Sequence, residues 1–473
     1  MRNWPLGSLM LVLASACGPT TGTEGKSGGP EVGSEATTAT ASTAGAATGT
    51  TAHGEATSDG TSGGPTGACE NPAFPVTVPL CGDEGPPCQV IADEPIAATP
   101  AIRGGTPALA LRGDCSPVVI FNELPEDAEQ GPALGWYAER AMPGAWAVEA
   151  LPMAFPEGAL ATDPAADQTI AILSDWDGAS HVWRREAGVW MSDGSIPGFS
   201  ITRAGELIRD PQGRLHVGHV DNQAARYSLF DGAWSAQTFL NPVDPSIVLA
   251  ADMTPRMATW AMDDGVWTVM YVPTPGEVVF LWDNANPELT NETVALALTG
   301  DETPWLLFRY HYSLFAPEEI KMIHRLSPTV WQGDVVADAM NPDAKSCPGG
   351  LEEPQPEPGE LCDYDALELY PLALFASGDD VRALYLRYHR KGTLMANCDD
   401  FPCVWEPVSN TSTGELRLAW PGADPAGHPV LADDVFTRNV DGRLDPEGRI
   451  HLVFYGDAGE AGTATVRYMQ IGP

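Results

Sequence analysis

The sequence predicts an all-β fold made of repeated small antiparallel sheets, and three observations support that prediction. First, an eight-residue segment occurs twice, as Asp210-Pro-Gln-Gly-Arg-Leu-His-Val217 and as Asp445-Pro-Glu-Gly-Arg-Ile-His-Leu452. Second, short apolar stretches, many of them ending in tryptophan, recur in units of about 45–55 residues. Third, 49 glycines and 43 prolines in 473 residues suit many short strands joined by tight turns. No stretch shows the sustained apolar period of about 3.6 residues that is typical of a helix.

The repeated segment combines a turn with the start of a strand. In Asp-Pro-x-Gly, the Asp caps the turn, the Pro presets φ and the Gly closes it. The following Arg-x-His-x alternates as a strand leaving a hairpin does. Because one hairpin cannot bury both of its faces, its recurrence predicts an array of hairpins that stack on one another.

Seven units can be followed along the chain. Each has an apolar strand and a second strand with an aromatic residue, and many add a tryptophan strand such as Gly144-Ala-Trp146 or Thr329-Val-Trp331. The fourth and sixth units are irregular, and residues 415–420 are a candidate extra strand in the sixth. We interpret the tryptophans as packing between sheets, because Trp supplies a large buried area. Stacking on sugars is the alternative.

Four strands per unit with a recurring aromatic residue resemble the blades of a β-propeller. The resemblance implies a single propeller domain over residues 68–473 with about seven four-stranded blades, six and eight being the alternatives. The last unit ends at Ile471 without a tryptophan strand, whereas Gln89-Val-Ile-Ala92 through Ile96 is extended and unassigned. Because an open sheet edge is a liability, we expect this N-terminal strand to complete the last blade.

Residues 1–17 have the features of a secretory signal. Arg2 supplies the positive start, residues 6–13 form the apolar run, and the small residues 14–16 precede Cys17. The run is too short to span a bilayer as a helix.

The position of Cys17 resembles the lipobox of bacterial lipoproteins, although Ala14 occupies the place where that motif usually has Leu. The resemblance implies that Cys17 is lipidated. Gly18 stands where such lipoproteins carry an inner-membrane retention Asp, so the resemblance implies a lipid anchor in the outer membrane or at the cell surface. Ordinary signal cleavage and secretion are the alternative.

Residues 18–67 are rich in Gly, Thr, Ser and Ala, and Val32 is their only large aliphatic residue. This composition cannot bury enough apolar surface to fold, so it predicts a disordered tether. A flexible chain of this length has a reach of roughly 40 Å.

The net charge of −39, from 64 acidic and 25 basic residues, makes nucleic acid an improbable partner because phosphate backbones would be repelled. We interpret the acidic surface as a solvated one suited to an extracellular medium; attraction of divalent cations or basic partners is the alternative. We expect a monomer.

Eight cysteines remain when Cys17 is set aside, and in an exported chain an even number predicts disulfides. They are Cys69, Cys81, Cys88, Cys115, Cys347, Cys362, Cys398 and Cys403. The pairs Cys347/Cys362 and Cys398/Cys403 are plausible from their spacing, and the first four allow three connectivities. Metal binding is the rival interpretation, but no C-x-x-C occurs.

His216 and His451 occupy matching places in the two repeats. As functional residues they would be ligands at the axis of the propeller; as structural residues they would satisfy buried turns. Repetition in different blades favours the structural role, because a single active site does not need two copies.

Two acidic groups are candidates for a Ca²⁺ site, namely Glu352, Glu353, Glu357 and Glu360 in one loop and Asp441, Asp445 and Glu447 in the last unit. Neither has the D-x-D-x-D-G spacing, so we predict solvated or turn-capping carboxylates and no metal or cofactor.

No catalytic residue can be named from the sequence. The Asp-box of sialidase-like propellers is absent, with Ser174-Asp-Trp-Asp-Gly178 only similar in composition, and serine-hydrolase, zincin and P-loop motifs are also missing. The favoured interpretation is a non-catalytic module that holds an extracellular protein or glycan. The alternative is a glycoside hydrolase or lyase on the same scaffold, since a fold does not decide function. Carboxylates, Arg or Tyr that converge at the axis would support the enzyme.

Overall fold

A computed structural model describes residues 69, 76–82, 85–100, 107–123, 134–155, 157–163, 168–175, 179–200, 203–221, 224–238, 245–263, 266–274, 276–284, 294–310, 318–339, 347, 356–397, 404–457 and 463–473. The expected signal, Cys17 and tether at residues 1–67 lie outside these residues. Among the described residues no helix is long and apolar enough to cross a membrane.

Seven four-stranded antiparallel sheets form a β-propeller, and each sheet is one blade. Blade one contains β2 (Ala108–Leu111), β3 (Pro117–Glu123), β4 (Leu134–Met142) and β5 (Ala145–Ala150). Blade two contains β6 (Gly158–Asp163), β7 (Gln168–Ser174), β8 (Ala179–Glu186) and β9 (Val189–Ser200). Blade three contains β10 (Arg203–Arg209), β11 (Leu215–Asp221), β12 (Ala224–Phe230) and β13 (Trp234–Thr238).

Blade four contains β14 (Ser246–Leu249), β15 (Pro255–Asp263), β16 (Val266–Thr274) and β17 (Glu277–Asn284). Blade five contains β18 (Ala295–Leu298), β19 (Pro304–Tyr310), β20 (Glu319–Ser327) and β21 (Val330–Asp338). Blade six contains β22 (Leu361–Ser377), β23 (Asp380–Asn397), β24 (Val404–Ala419) and β25 (Val430–Ala432), with a 3-10 turn at Pro425–Gly427. Blade seven contains β26 (Val435–Leu444), β27 (Ile450–Asp457), β28 (Thr463–Gly472) and the N-terminal β1 (Gln89–Pro100).

The predicted completion of the last blade is confirmed. β1 pairs with β28 along its whole length, from Gln89 opposite Gly472 to Pro100 opposite Thr463. The first strands of successive blades contact one another, and β26 also contacts β2. The edge that β28 would expose is therefore covered by a strand from the front of the chain.

Where the structure describes the connection between first and second strands, five blades share one turn. In each, the first residue of a five-residue turn donates its N–H to the fifth carbonyl and accepts from the fourth N–H. The turns begin at Arg112, Asp210, Ala250, Thr299 and Asp445. The fourth residue has positive φ in all five, and it is glycine only in the two repeats that the sequence reveals.

Apolar residues fill the space between neighbouring sheets. Leu386 and Leu416 of blade six, for example, belong to one buried cluster with Leu452 and Phe454 of blade seven. Three outer-strand tryptophans pack edge-on against a third-strand tyrosine of the preceding blade, with ring centroids 5.3–5.5 Å apart: Trp146 on Tyr468, Trp190 on Tyr137 and Trp331 on Tyr271. Each such pair contributes about 0.5–1.5 kcal/mol beyond its buried area.

Within the described ranges there are three disulfides, Cys69–Cys115, Cys81–Cys88 and Cys347–Cys362. Cys398 and Cys403 lie outside the described residues. The interpretation of residues 415–420 as an extra strand is wrong, because Val404–Ala419 is one continuous strand that pairs with β23. Its polar middle hid this continuity.

Candidate functional site

The two repeated segments fold into the same buried hydrogen-bonded unit. In blade three, Asp210 Oδ1 accepts the N–H groups of Gln212 and Arg214, and Asp210 Oδ2 accepts from Arg214 Nε at 2.5 Å and His216 Nε2 at 3.1 Å. Tyr227 Oη lies 2.7 Å from His216 Nδ1. One carboxylate thus satisfies a turn, an arginine and a histidine.

Blade seven repeats this arrangement with Asp445, Glu447, Arg449, His451 and Tyr468. His451 Nε2 lies 3.0 Å from Asp445 Oδ2, and Tyr468 Oη lies 2.8 Å from His451 Nδ1. Burial opposes ionisation of Asp445, but the bonds from His451 and Arg449 outweigh it and hold the carboxyl pKa below its usual value. Burial lowers the pKa of His451, although Asp445 opposes that shift. The imidazole is therefore neutral, donates from Nε2 and accepts from the tyrosine hydroxyl.

These contacts give His216 and His451 the structural role. Both side chains are about 1% exposed, and both ring nitrogens of each have partners within the same blade. The repeated histidines hold the first hairpin of a blade against its third strand.

A second repeated device joins neighbouring blades at the axis. In blades three, four and seven, the side chain four positions before the turn accepts the backbone N–H of the next blade's first strand. Asp441 Oδ2 accepts from Leu109 at 2.8 Å, Glu206 Oε2 from Ile247 at 3.2 Å, and Ser246 Oγ from Leu296 at 3.2 Å. Because the inner edge of each first strand has no further strand to pair with, these side chains supply the missing acceptors.

Glu206 and Asp441 also line a cavity of about 380 Å³ that is bounded by the first strands of blades two to seven. Burial raises the pKa of Glu206 to about 7; Arg443, whose Nη1 lies 2.5 Å from Asp441 Oδ1, offsets part of the rise and the charge of Asp441 adds to it. A carboxyl group with a pKa near neutrality is a candidate general acid or base. The axial cavity is therefore one candidate site, built from carboxylates that already hold blades together.

Residues 76–82 lie against the turns at one end of blade six. Gly378 N donates to Val76 O at 2.8 Å, and Leu80 N donates to Asp380 Oδ2 at 3.1 Å. The guanidinium of Arg382 is 1% exposed and donates to the carbonyl groups of Leu80, Cys81 and Gly82 at 2.7–3.4 Å. Val76 also lines the axial cavity, so this segment approaches the axis at the end where first and second strands turn.

Blade six projects from the opposite end of the propeller. Its first, second and third strands contain 17, 18 and 16 residues. No first, second or third strand of another blade is longer than 10 residues. The excess lies away from the turn at Gly378 and comprises residues 361–369, 387–397 and 404–414, which we name the wing. Only Leu416 and Arg417 of β24 pair with the short β25, so the wing is three strands wide.

One face of the wing holds a shallow depression of about 300 Å³. Two cross-strand rows form it, Asp363–Thr393–Ser409 and Asp365–Lys391–Thr411. Asp365 lies 2.9 Å from Lys391 Nζ and 2.6 Å from His389 Nε2, and Thr393 Oγ1 donates to Asp363 at 2.8 Å. The depression combines acceptors, hydroxyl groups and one ammonium group.

The acidic candidates do not gather into a metal site among the described residues. Asp445 caps its turn, Asp441 binds Leu109, and Glu357 donates its backbone N–H to Glu360. Glu352 and Glu353 lie outside the part that the structure describes, as do residues 176–178 of the Asp-box-like segment.

No protein-family model matches the sequence, and no curated protein is similar to it. Among solved structures, a protein of unknown function from Dyadobacter fermentans is similar with a TM-score of 0.40 at 10% identity, covering 82% of this chain and 99% of that one. Virginiamycin B lyase from Staphylococcus aureus, a catalytically inactive variant with quinupristin, has the same TM-score, identity and coverage. The polysaccharide lyase Uly1 has a TM-score of 0.42 at 10% identity, covering 75% of this chain and 88% of that one. Similarities this distant carry no argument about function.

Proposed function

We propose that the protein is an envelope-anchored binding module that presents the wing of blade six to an extracellular protein or glycan. The observation that carries this proposal is the placement of two features at opposite ends of the propeller. Residues 76–82 lie at the turn end of blade six, and the wing projects from the other end of the same strands. A tether that enters at the turn end leaves the wing pointing away from its anchor.

Exposed apolar side chains near the end of the wing support a contact role. Leu361 is 62% exposed and Val408 is 59% exposed. They lie on a narrow sheet whose strands run far beyond what the blade needs for its core. Long exposed edges are costly because they invite unwanted pairing, so we infer that this one is retained for recognition.

Photo-crosslinking from the wing tests the proposal. A photoreactive amino acid replaces Val408 on the wing, or Val189 on the outer strand of blade two as a control of matched exposure, 59% against 60%. In the native cell we expect a discrete adduct from position 408 and none from position 189. Equal adducts from both positions, or none from position 408, would contradict a wing-centred binding role.

The anchor is part of the same proposal. Lipidation of Cys17 and a flexible stretch over residues 18–67 would place the propeller outside the cell. Metabolic labelling with palmitate should mark the wild-type chain and not Cys17→Ala, and the variant should appear in the soluble fraction. A variant that stays in the membrane would show that another element anchors the protein.

Glu206 favours a second candidate function, hydrolysis or elimination on a carbohydrate in the axial cavity. Its raised pKa and the neighbouring Asp441 and Arg443 are the groups that such chemistry uses. A polysaccharide panel separates the two functions. Turnover that disappears in Glu206→Gln, with an apparent pKa near 7 in its pH profile, would establish the enzyme and displace the binding role.

A further inference from the structure

We propose that the depression on the wing is a binding site for a neutral carbohydrate. This inference rests on the proposed binding function and names the chemistry of its ligand. It assigns the contact to the face that carries Asp365, Lys391 and Thr411, and not to the opposite face of the same three strands.

The geometry of the face is that of a regular grid. Paired residues on adjacent antiparallel strands share a face, and positions two apart along a strand return to it. Asp363, Thr393 and Ser409 therefore form one row, and Asp365, Lys391 and Thr411 the next. Every side chain in the two rows ends in a hydrogen-bonding group. A sheet face that packs against a core carries apolar residues at these positions. Packing therefore does not explain the polar pattern.

The groups are already held in position. Lys391 and His389 bond to different oxygens of Asp365, and Thr393 bonds to Asp363. Thr411 Oγ1 donates to the Lys391 carbonyl at 3.2 Å. Fixed donors and acceptors bind a ligand at a lower entropic cost than free side chains do.

Their chemistry selects the class of ligand. Carboxylate oxygens accept from hydroxyl groups, an ammonium group donates to them, and threonine and serine hydroxyls do both. A ring with neighbouring hydroxyl groups satisfies all of these partners. Two carboxylates face one lysine, so a phosphate, sulfate or uronate would meet net repulsion, as it would from the chain's overall charge of −39.

Size supports the same class. The depression, at about 300 Å³, lies at the lower end of the roughly 300–1,000 Å³ range of small-molecule sites. It is open and shallow, which suits one part of a longer glycan better than an enclosed metabolite. At this level of burial we expect dissociation constants of about 0.1–1 mM per site.

The experiment titrates the full chain in detergent with neutral oligosaccharides, among them glucan, galactan, mannan and N-acetylhexosamine oligomers, by calorimetry. We expect at least one class to bind, and Asp365→Asn and Thr411→Val each to weaken binding about tenfold. Ser412→Ala is the matched control, because Ser412 follows Thr411 and pairs with Arg390 on the opposite face. Circular dichroism establishes that each variant is folded.

The inference is overturned if no class of neutral oligosaccharide binds at a concentration tenfold above the highest expected dissociation constant of about 1 mM. Binding that persists in the Asp365→Asn, Thr411→Val double variant, or that prefers sulfated or uronic acid polymers, would also overturn it. The proposed binding function and the carbohydrate ligand are tested by different results. A protein adduct from position 408, without any glycan binding, would leave the binding module in place and remove only the carbohydrate.

Discussion

Replacement of Arg382 should release the segment that enters the propeller. Its guanidinium is buried and donates to three successive carbonyl groups, those of Leu80, Cys81 and Gly82, and its charge also lies over the ring of Trp420 at 5.6 Å. Hydrogen bonds from a charged group contribute about 1.5–3 kcal/mol each, and carbonyl groups left buried without a donor add to the cost. In the variant the segment can detach and expose its carbonyl groups to water, which limits the total cost. We therefore expect Arg382→Met to lower the free energy of unfolding by about 3–5 kcal/mol.

The control is Arg184→Met. Arg184 pairs with Glu186 and Asp193 on the surface of blade two, so its loss should cost no more than about 1 kcal/mol. Urea unfolding measures both variants, and hydrogen exchange follows the amides of Leu80 and Gly378, which bond across the same contact. Equal stability of the two variants, with unchanged exchange at these amides, would refute the assignment of Arg382 as the residue that holds the segment.

Two further predictions concern the repeated carboxylates. Asp445→Ala and Asp210→Ala should each destabilise the fold by about 3–5 kcal/mol at pH 7, measured by urea unfolding, because each removes a buried acceptor of four bonds. The folded pKa of Asp445 is depressed, so this difference should persist above pH about 4 and shrink as pH falls through the folded value; a large loss in only one variant would contradict equivalent roles. The folded pKa of Glu206 is raised to about 7, so wild-type stability should fall by up to about 3 kcal/mol as pH rises from about 4.5 to 7. Glu206→Gln should lack that slope, and an unchanged slope would show that Glu206 is not the group that titrates.

The blade architecture could be predicted because turn chemistry and aromatic strands repeat visibly. Asp-Pro-x-Gly marks two of the five equivalent turns. The other three place Cys115, Met253 and Glu302 at the left-handed position, and no glycine signals them. In these turns an Asp at the third position, such as Asp252, accepts the fifth N–H instead. Two different sequence patterns therefore form the same turn, and only the Asp-Pro-x-Gly pattern can be recognised from the sequence alone.

The candidate sites were hidden for a different reason. Glu206 and Asp441 are both four residues before a turn Asp, yet their role depends on an N–H from the next blade, which no local pattern reveals. The wing could not be recognised because the middle of its third strand, residues 409–413, is polar on both faces. Without an apolar stripe, β24 looked like two short strands separated by a loop. The excess length of residues 361–377 and 380–397 was the signal available, since an ordinary blade needs far fewer.

The way β1 lies beside β28 sets an order on biogenesis. Residues 89–100 leave the ribosome before blade one, whereas their partner strand, residues 463–472, is synthesised only after blades one to six. Until then the early strand has no partner strand, and the growing chain carries it unpaired. A product that terminates before residues 463–472 would keep the early strand unpaired and would have six complete blades in place of seven. Proteases and chaperones that recognise an unpaired strand would then distinguish an unfinished molecule from a finished one.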